Sequence, residues 1–208
     1  MLFNVLATLK LTGDMALRAR VISHFADNIQ VQQETMGSLC ELVEYASRHV
    51  LNALLSDKKV VACGNGRSAY SAQMLASILL NQFDRDRPSL PALALATDAA
   101  TLTGVASHHD LDNVFAKQVR ALGQGGDVLV AYVDSGGRPN IAKAIAAAHD
   151  KDISVIALTG NNGDRVSSWL RETDIEICVP TQAAMRIHET HVLITHCLCD
   201  LIDHQLFG

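Results

Sequence analysis

Nothing in this chain gathers lysine and arginine into a patch. Its 17 basic residues are outnumbered by 22 acidic ones, for a formal charge of −5, which argues against broad electrostatic binding to nucleic acid. DNA would have to be met through a partner. No CxxC pair occurs among the five cysteines, Cys40, Cys63, Cys178, Cys197 and Cys199, so neither a zinc site nor a redox motif is indicated. Their odd number, on segments that read as buried, predicts reduced core thiols. No apolar run reaches membrane-spanning length. The opening MLFNVLATLKL lacks a basic leading region and a small-residue cleavage site, so a signal peptide is not expected and a cytoplasmic location follows by default. Repeats, low-complexity stretches and linkers are absent as well.

What is present suits an ordinary globular domain. A chain of 208 residues, 49% hydrophobic, buries a sizeable core, and residues 1–208 are expected to form one domain. From Met15 to about Leu55 no proline interrupts a helical pattern in which Val21, Ile22, Phe25 and Ile29 recur at three- and four-residue spacing. This predicts two helices over 15–55. Residues 1–14 are either an ordered extension or a disordered one. Short apolar blocks follow at 58–63, 90–95, 126–133, 152–158 and 174–179. They do not alternate, as expected of strands buried on both faces of a parallel sheet. Helical stretches are expected near 68–82, 111–122, 139–149 and 163–171, with a long last one over about 181–206. This alternation predicts a three-layer α/β/α sandwich around a five-stranded parallel sheet.

The first block runs into a polar turn, CGNGRSA from Cys63 to Ala69. Glycines allow a sharp turn and close approach to a ligand, and the following helix start offers N–H groups to an anion. Asn65, Gly66, Arg67 and Ser68 are therefore candidate phosphate ligands, although the same pattern also serves as a plain strand–helix joint. The last helix, with RIHETHVLITHCLCDLIDHQLF, is apolar on more than one face. Such a helix is either central to its domain or packed against another subunit, and homo-oligomerisation is favoured.

The turn CGNGRSA, together with RPSLPALAL, AKQVRALGQGGDVLVAY, ISVIALTG and RIHETHVLITHCLCDLID, resembles the sugar isomerase (SIS) domain family over residues 15–208. The nearest branch contains phosphoheptose isomerase and the DnaA initiator-associating protein DiaA. The resemblance implies a flavodoxin- or Rossmann-like SIS fold. It places Met74 and Ile78 where the isomerase has a histidine and a glutamate, and His188 and His196 where it has a glutamine and a histidine, with His191 beside them. Neither Met74 nor Ile78 serves as a metal ligand or proton acceptor, so no metal and no other cofactor is expected. His188 and His196 remain as residual catalytic positions, either the remnant of a metal site or packing histidines satisfied by their neighbours, and the second is favoured because a catalytic zinc needs three protein ligands.

In the family's serine- and threonine-rich phosphate loop this chain has VDSGGRPN. Val133 and Asp134 replace hydroxyl residues, Ser135 remains and Arg138 stands at the final serine. Asp134 would repel a phosphate dianion, with Arg138 to offset it. Ser107 and His108 stand where the family often has Asn-Asp, and Trp169 reads as a packing residue. The match to the initiator-associating branch extends to Leu206–Phe207, where the resemblance implies a contact with DnaA. The implied protein is a non-catalytic homotetrameric scaffold that binds DnaA and promotes replication initiation, with a phosphosugar as an additional ligand. The alternative is a phosphoheptose isomerase acting on sedoheptulose 7-phosphate, and a third reading is a phosphosugar sensor without turnover.

Overall fold

The computed structural model describes residues 2–108, 110–161 and 166–208, with side chains from residue 15 onward. Five parallel strands, β1 (Val60–Gly64), β2 (Ala92–Ala94), β3 (Val128–Tyr132), β4 (Ser154–Gly160) and β5 (Ile175–Val179), form one sheet in the order β2-β1-β3-β4-β5. The pairing Val60–Val128–Ser154 aligns the three central strands. Because successive side chains leave a strand on opposite faces, Val60, Ala62, Val128, Val130, Ile156 and Leu158 enter one core layer. Their neighbours Val61, Cys63, Leu129, Ala131, Val155 and Ala157 enter the other. Both faces are covered, which explains why these strands read as continuous apolar blocks.

The helices are α1 (Leu2–Leu55), α2 (Arg67–Leu80), α3 (Ala99–His108), α4 (Val114–Leu122), α5 (Pro139–His149) and α6 (Ala184–Phe207). Parts of α1, α2 and α6 cover the first layer, while α4 and α5 cover the second. The two leading helices expected from the sequence are a single helix. Gly37 is the only glycine between Met15 and Leu55, and no proline occurs there. An interior glycine costs a helix about 1 kcal/mol but removes no hydrogen bond, so nothing forces a break. At 1.5 Å per residue α1 is about 80 Å long, and residues 2–14 continue it. Its C-terminal half packs along α6, where Asn28 Nδ2 donates to Glu189 Oε2 at 2.6 Å and Gln32 Nε2 to Thr190 Oγ1 at 3.2 Å.

Other expectations shift. Helix α3 had not been anticipated, and the helix expected over 163–171 is a short 3-10 turn, Val166–Trp169; positions 162–165 lie outside the described residues. The cysteines are all free, but only Cys63 and Cys199 are fully buried, and Cys40 and Cys197 are exposed. Burial pushes the thiols of Cys63 and Cys199 up to about 12, which leaves them inert packing groups. Among the described residues no helix is long and apolar enough to cross a membrane.

Candidate functional site

The sheet order reverses between β1 and β3, since the chain leaves β1 toward β2 on one side and later returns to β3 on the other. In open parallel sheets such a switch point splays the loops at the strands' C-terminal ends and opens a crevice. A cleft of about 310 Å³ lies there, walled by Asn65–Ser68 after β1 and by Val133–Ser135 and Arg138 after β3. All six ligand candidates, Asn65, Gly66, Arg67, Ser68, Ser135 and Arg138, thus face one space.

Local backbone demands explain the glycine turn. Gly64 is packed so tightly that an added methyl would lie 2.5 Å from the carbonyl oxygen of Ser68, and Gly66 has φ +57°. Both positions favour a residue without a side chain. Gly66 caps α2 without any side-chain hydrogen bond; the N–H groups of Ser68 and Ala69 donate to the carbonyls of Asn65 at 3.0 Å and Gly66 at 3.1 Å, so what the helix start offers the cleft is chiefly the positive end of its dipole. Asn65 is occupied elsewhere: its amide exchanges two hydrogen bonds with that of Asn140, at 2.9 and 2.8 Å. This pair ties the β1–α2 turn to the first turn of α5 and sets the width of the cleft.

Two features of the cleft point to a ligand. Ser68 is only 2% exposed and its hydroxyl has no hydrogen-bond partner, an arrangement that costs free energy unless something completes it. Arg67 spans the opening, its Nε donating to Asp134 Oδ2 and its Nη1 to the sulfur of Met185 at 2.9 Å. Ser135 Oγ donates to the other carboxylate oxygen of Asp134 at 3.0 Å. The sequence assigned the offsetting cation to Arg138, but the residue paired with Asp134 is Arg67. Its partner lies 67 positions away, and no local spacing announces such a pair.

Met185 brings the start of α6 to the rim, and His188 follows one turn later on the same face. Beneath lies a sealed polar layer. His191 Nε2 lies 3.0 Å from the carbonyl oxygen of Thr159, which can only accept, so Nε2 carries the proton. Burial holds its pKa down to about 4; the Thr159 carbonyl and Asp134 oppose that shift, and His188 adds to it. His191 is therefore a neutral imidazole near pH 7. Thr195 donates to the carbonyl of His191 at 2.7 Å and takes the proton of Tyr132 OH at 2.8 Å. Nδ1 of His188 and of His191 are both buried without a hydrogen-bond partner.

His196 does not join His188. Eight residues of helix separate them by about 12 Å, and the ring of His196 packs against Phe83, with centroids 5.9 Å apart. Ile78 packs on the core. Among the described residues no group of three or more histidine, cysteine or acidic side chains is placed to hold a metal ion, and Met74 and Ile78 supply no donor of the kind a catalytic zinc requires. The metal that the family resemblance suggests does not fit these residues. Trp169 packs against the phosphate loop, its ring 2.5 Å from where a Cβ on Gly137 would lie. At the C-terminus Leu206 packs on the core and Phe207 is 38% exposed.

The SIS domain model matches residues 24–160. The chain belongs to the SIS domain family. A phosphoheptose isomerase of Methylococcus capsulatus is 51% identical over 91% of this chain and 97% of its own. The solved structure of the phosphoheptose isomerase of Neisseria gonorrhoeae superposes with a TM-score of 0.85 at 42% identity, covering 90% of this chain and 99% of that one. The enzyme of Francisella tularensis gives 0.86 at 42% identity, covering 89% and 97%. These likenesses establish an SIS fold of phosphoheptose isomerase type.

They also overturn the expected non-catalytic scaffold for DnaA; they do not support DnaA as a partner, and they leave the reading of Leu206 and Phe207 as a partner contact untested. The relatives found at high identity carry the isomerase name, and closeness to the initiator-associating branch is not what they show. The loss of two side chains from α2 had been weighed as the loss of a function. Neither Met74 nor Ile78 lines the cleft, whose walls are the β1–α2 turn and the loop after β3.

Proposed function

We propose that this chain binds a phosphosugar at the switch-point cleft and acts as an aldose–ketose isomerase of the phosphoheptose class, with sedoheptulose 7-phosphate as its substrate. The observation that carries this reading is the unpartnered, buried hydroxyl of Ser68 at the N-terminus of α2. That arrangement suits the oxygens of a phosphate monoester. Arg67, Ser135 and Arg138 add donors around it. Isomerisation through an enediol needs a group that takes a proton from one carbon and returns it to the next. Among the described residues lining the cleft Asp134 is the one carboxylate, and His188 is the imidazole nearest the rim along α6. These two replace the pair that Met74 and Ile78 do not supply.

The test is incubation of the protein with sedoheptulose 7-phosphate, following the aldose phosphate by NMR and binding by calorimetry. Saturable binding that is lost in Ser68→Ala, with turnover that falls in Asp134→Asn and His188→Ala, is the expected result. Binding without turnover removes the isomerase activity and leaves recognition. Neither binding nor turnover overturns the whole reading. Self-association belongs to the same proposal: Met15, Leu17, Val21, Ile22, Phe25 and Ile29 stand exposed on α1, more apolar surface than an isolated soluble chain tolerates. Light scattering is expected to report a homotetramer.

A further inference from the structure

The Arg67–Asp134 pair occupies the mouth of the cleft, where an incoming anion must arrive. Arg67 is anchored at the first position of α2, Asp134 follows β3, and the two side chains meet across the gap. The arginine remains 38% exposed while the aspartate is 7% exposed, so the cation is the member with room to move. Its second contact is a thioether sulfur, a weak acceptor that offers little resistance to exchange. Behind the pair lies the unsatisfied hydroxyl of Ser68. Donors for an anion are therefore assembled, and one of the strongest is engaged by an internal carboxylate.

We propose that Arg67 and Asp134 form a ligand-exchanged latch, in which a phosphate monoester dianion displaces the Asp134 carboxylate from Arg67 and frees it to face the bound sugar. This rests on the reading of the cleft as a phosphosugar site, and it adds a specificity device to it. A guanidinium binds phosphate or carboxylate through the same planar fork. The dianion carries the larger charge and is also met by the α2 N-terminus, so it wins the exchange, whereas a neutral sugar leaves the latch closed. Asp134 keeps the hydrogen bond from Ser135 after release and is exposed to substrate only when a phosphate is in place. Selection for phosphorylated sugars and exposure of the cleft's carboxylate are then one event.

The experiment is a double-mutant cycle on the full chain, with inorganic phosphate and sedoheptulose 7-phosphate as separate calorimetric probes and the melting temperature of each variant recorded. Asp134→Asn removes the competitor while preserving shape. It is expected to tighten both probes about tenfold, the scale of a typical coupling between two binding events. Arg67→Ala is expected to weaken both, and Asp134→Asn placed in the Arg67→Ala background to change affinity little, because the object of the competition is gone. Asp134→Thr repeats the cycle if the asparagine variant does not fold.

Equal tightening by Asp134→Asn with and without Arg67 would show simple repulsion at a distance and overturn the latch. So would an Asp134→Asn affinity equal to that of the unaltered protein, or no binding of inorganic phosphate by any variant. An Arg67-dependent gain for inorganic phosphate, with sedoheptulose 7-phosphate neither bound nor converted, would leave the latch standing and overturn the sugar assignment instead.

Discussion

Two arginine–aspartate pairs, each joining segments far apart in the chain, sit at opposite ends of α2. Arg67–Asp134 lies at its N-terminus; Arg87–Asp203, at 2.8 Å, lies beyond its C-terminus. The second pair is sealed, its side chains 1% and 4% exposed. Arg87 also donates to the carbonyls of Leu79 at 2.7 Å and Ile78 at 2.9 Å, oxygens that the end of a helix would otherwise leave unsatisfied. One pair ties α2 to α6 permanently, and the other stands at an opening with a poorly held arginine. The same two residue types thus make a sealed tie at one end of a helix and, on the proposed reading, a ligand-responsive pair at the other, and what separates them is access to water.

The comparison is tested most strongly by making the same substitution at both places. Asp203→Asn leaves Arg87 charged in a site closed to solvent. Breaking a buried pair in this way costs about 3–5 kcal/mol, so chemical denaturation should show a loss of that size. A loss below about 1 kcal/mol would mean that the carbonyl oxygens alone hold Arg87 and that the two pairs differ less than their burial implies.

Next in size is the layer beneath the cleft. The His191 pKa is held at about 4 in the folded chain, below its unfolded value near 6.5. The folded state therefore binds fewer protons than the unfolded one between these values. The stability associated with the neutral imidazole is complete above about pH 6.5 and is lost as pH falls toward 4, a total of about 3 kcal/mol at 1.36 kcal/mol per pH unit. Denaturation midpoints measured from pH 7.5 to 4 should fall accordingly, and His191→Gln should flatten that part of the profile. An unchanged profile in the variant would show that His191 is not sealed and that water reaches beneath the cleft.

A smaller effect separates the two C-terminal residues. Leu206→Ala removes a side chain that packs on the core and should cost about 2 kcal/mol. Phe207→Ala, at a site already 38% exposed, should cost about 1 kcal/mol. Equal costs would place both side chains inside a subunit interface.

How much of this was legible in the sequence depends on whether the information is local. The five strands were readable because each is an apolar run bounded by polar turns, and the cradle was readable because Gly64 and Gly66 are demanded by backbone geometry within five residues of Ser68. Helix α3 gave little such signal: none of its residues is fully buried, and only Leu102 and Val105, one turn apart, pack against the core. The length of α1 was not legible because globular helices typically run about 8–20 residues, and nothing in the pattern over 15–55 distinguishes one long helix from two. Pairings across the fold, Asn65 with Asn140 and Arg67 with Asp134, leave no periodicity at all. Asp134 could be read only as an obstacle to phosphate until its partner was placed.

The smallest expected effect on stability is the most informative about the two pairs. Asp134→Asn leaves Arg67, already 38% exposed, free to be solvated, so no buried charge is stranded and the loss should stay below about 1 kcal/mol. Added salt sharpens the point, because an ion pair open to water weakens as the Debye length falls from about 10 Å at 0.1 M to about 3 Å at 1 M. The difference in stability between the unaltered chain and Asp134→Asn should shrink over that range, while the corresponding difference for Asp203→Asn should hold. If the Asp134→Asn loss instead matched that of Asp203→Asn and resisted salt, the cleft pair would be a closed structural tie like its counterpart, too costly for a phosphate to open.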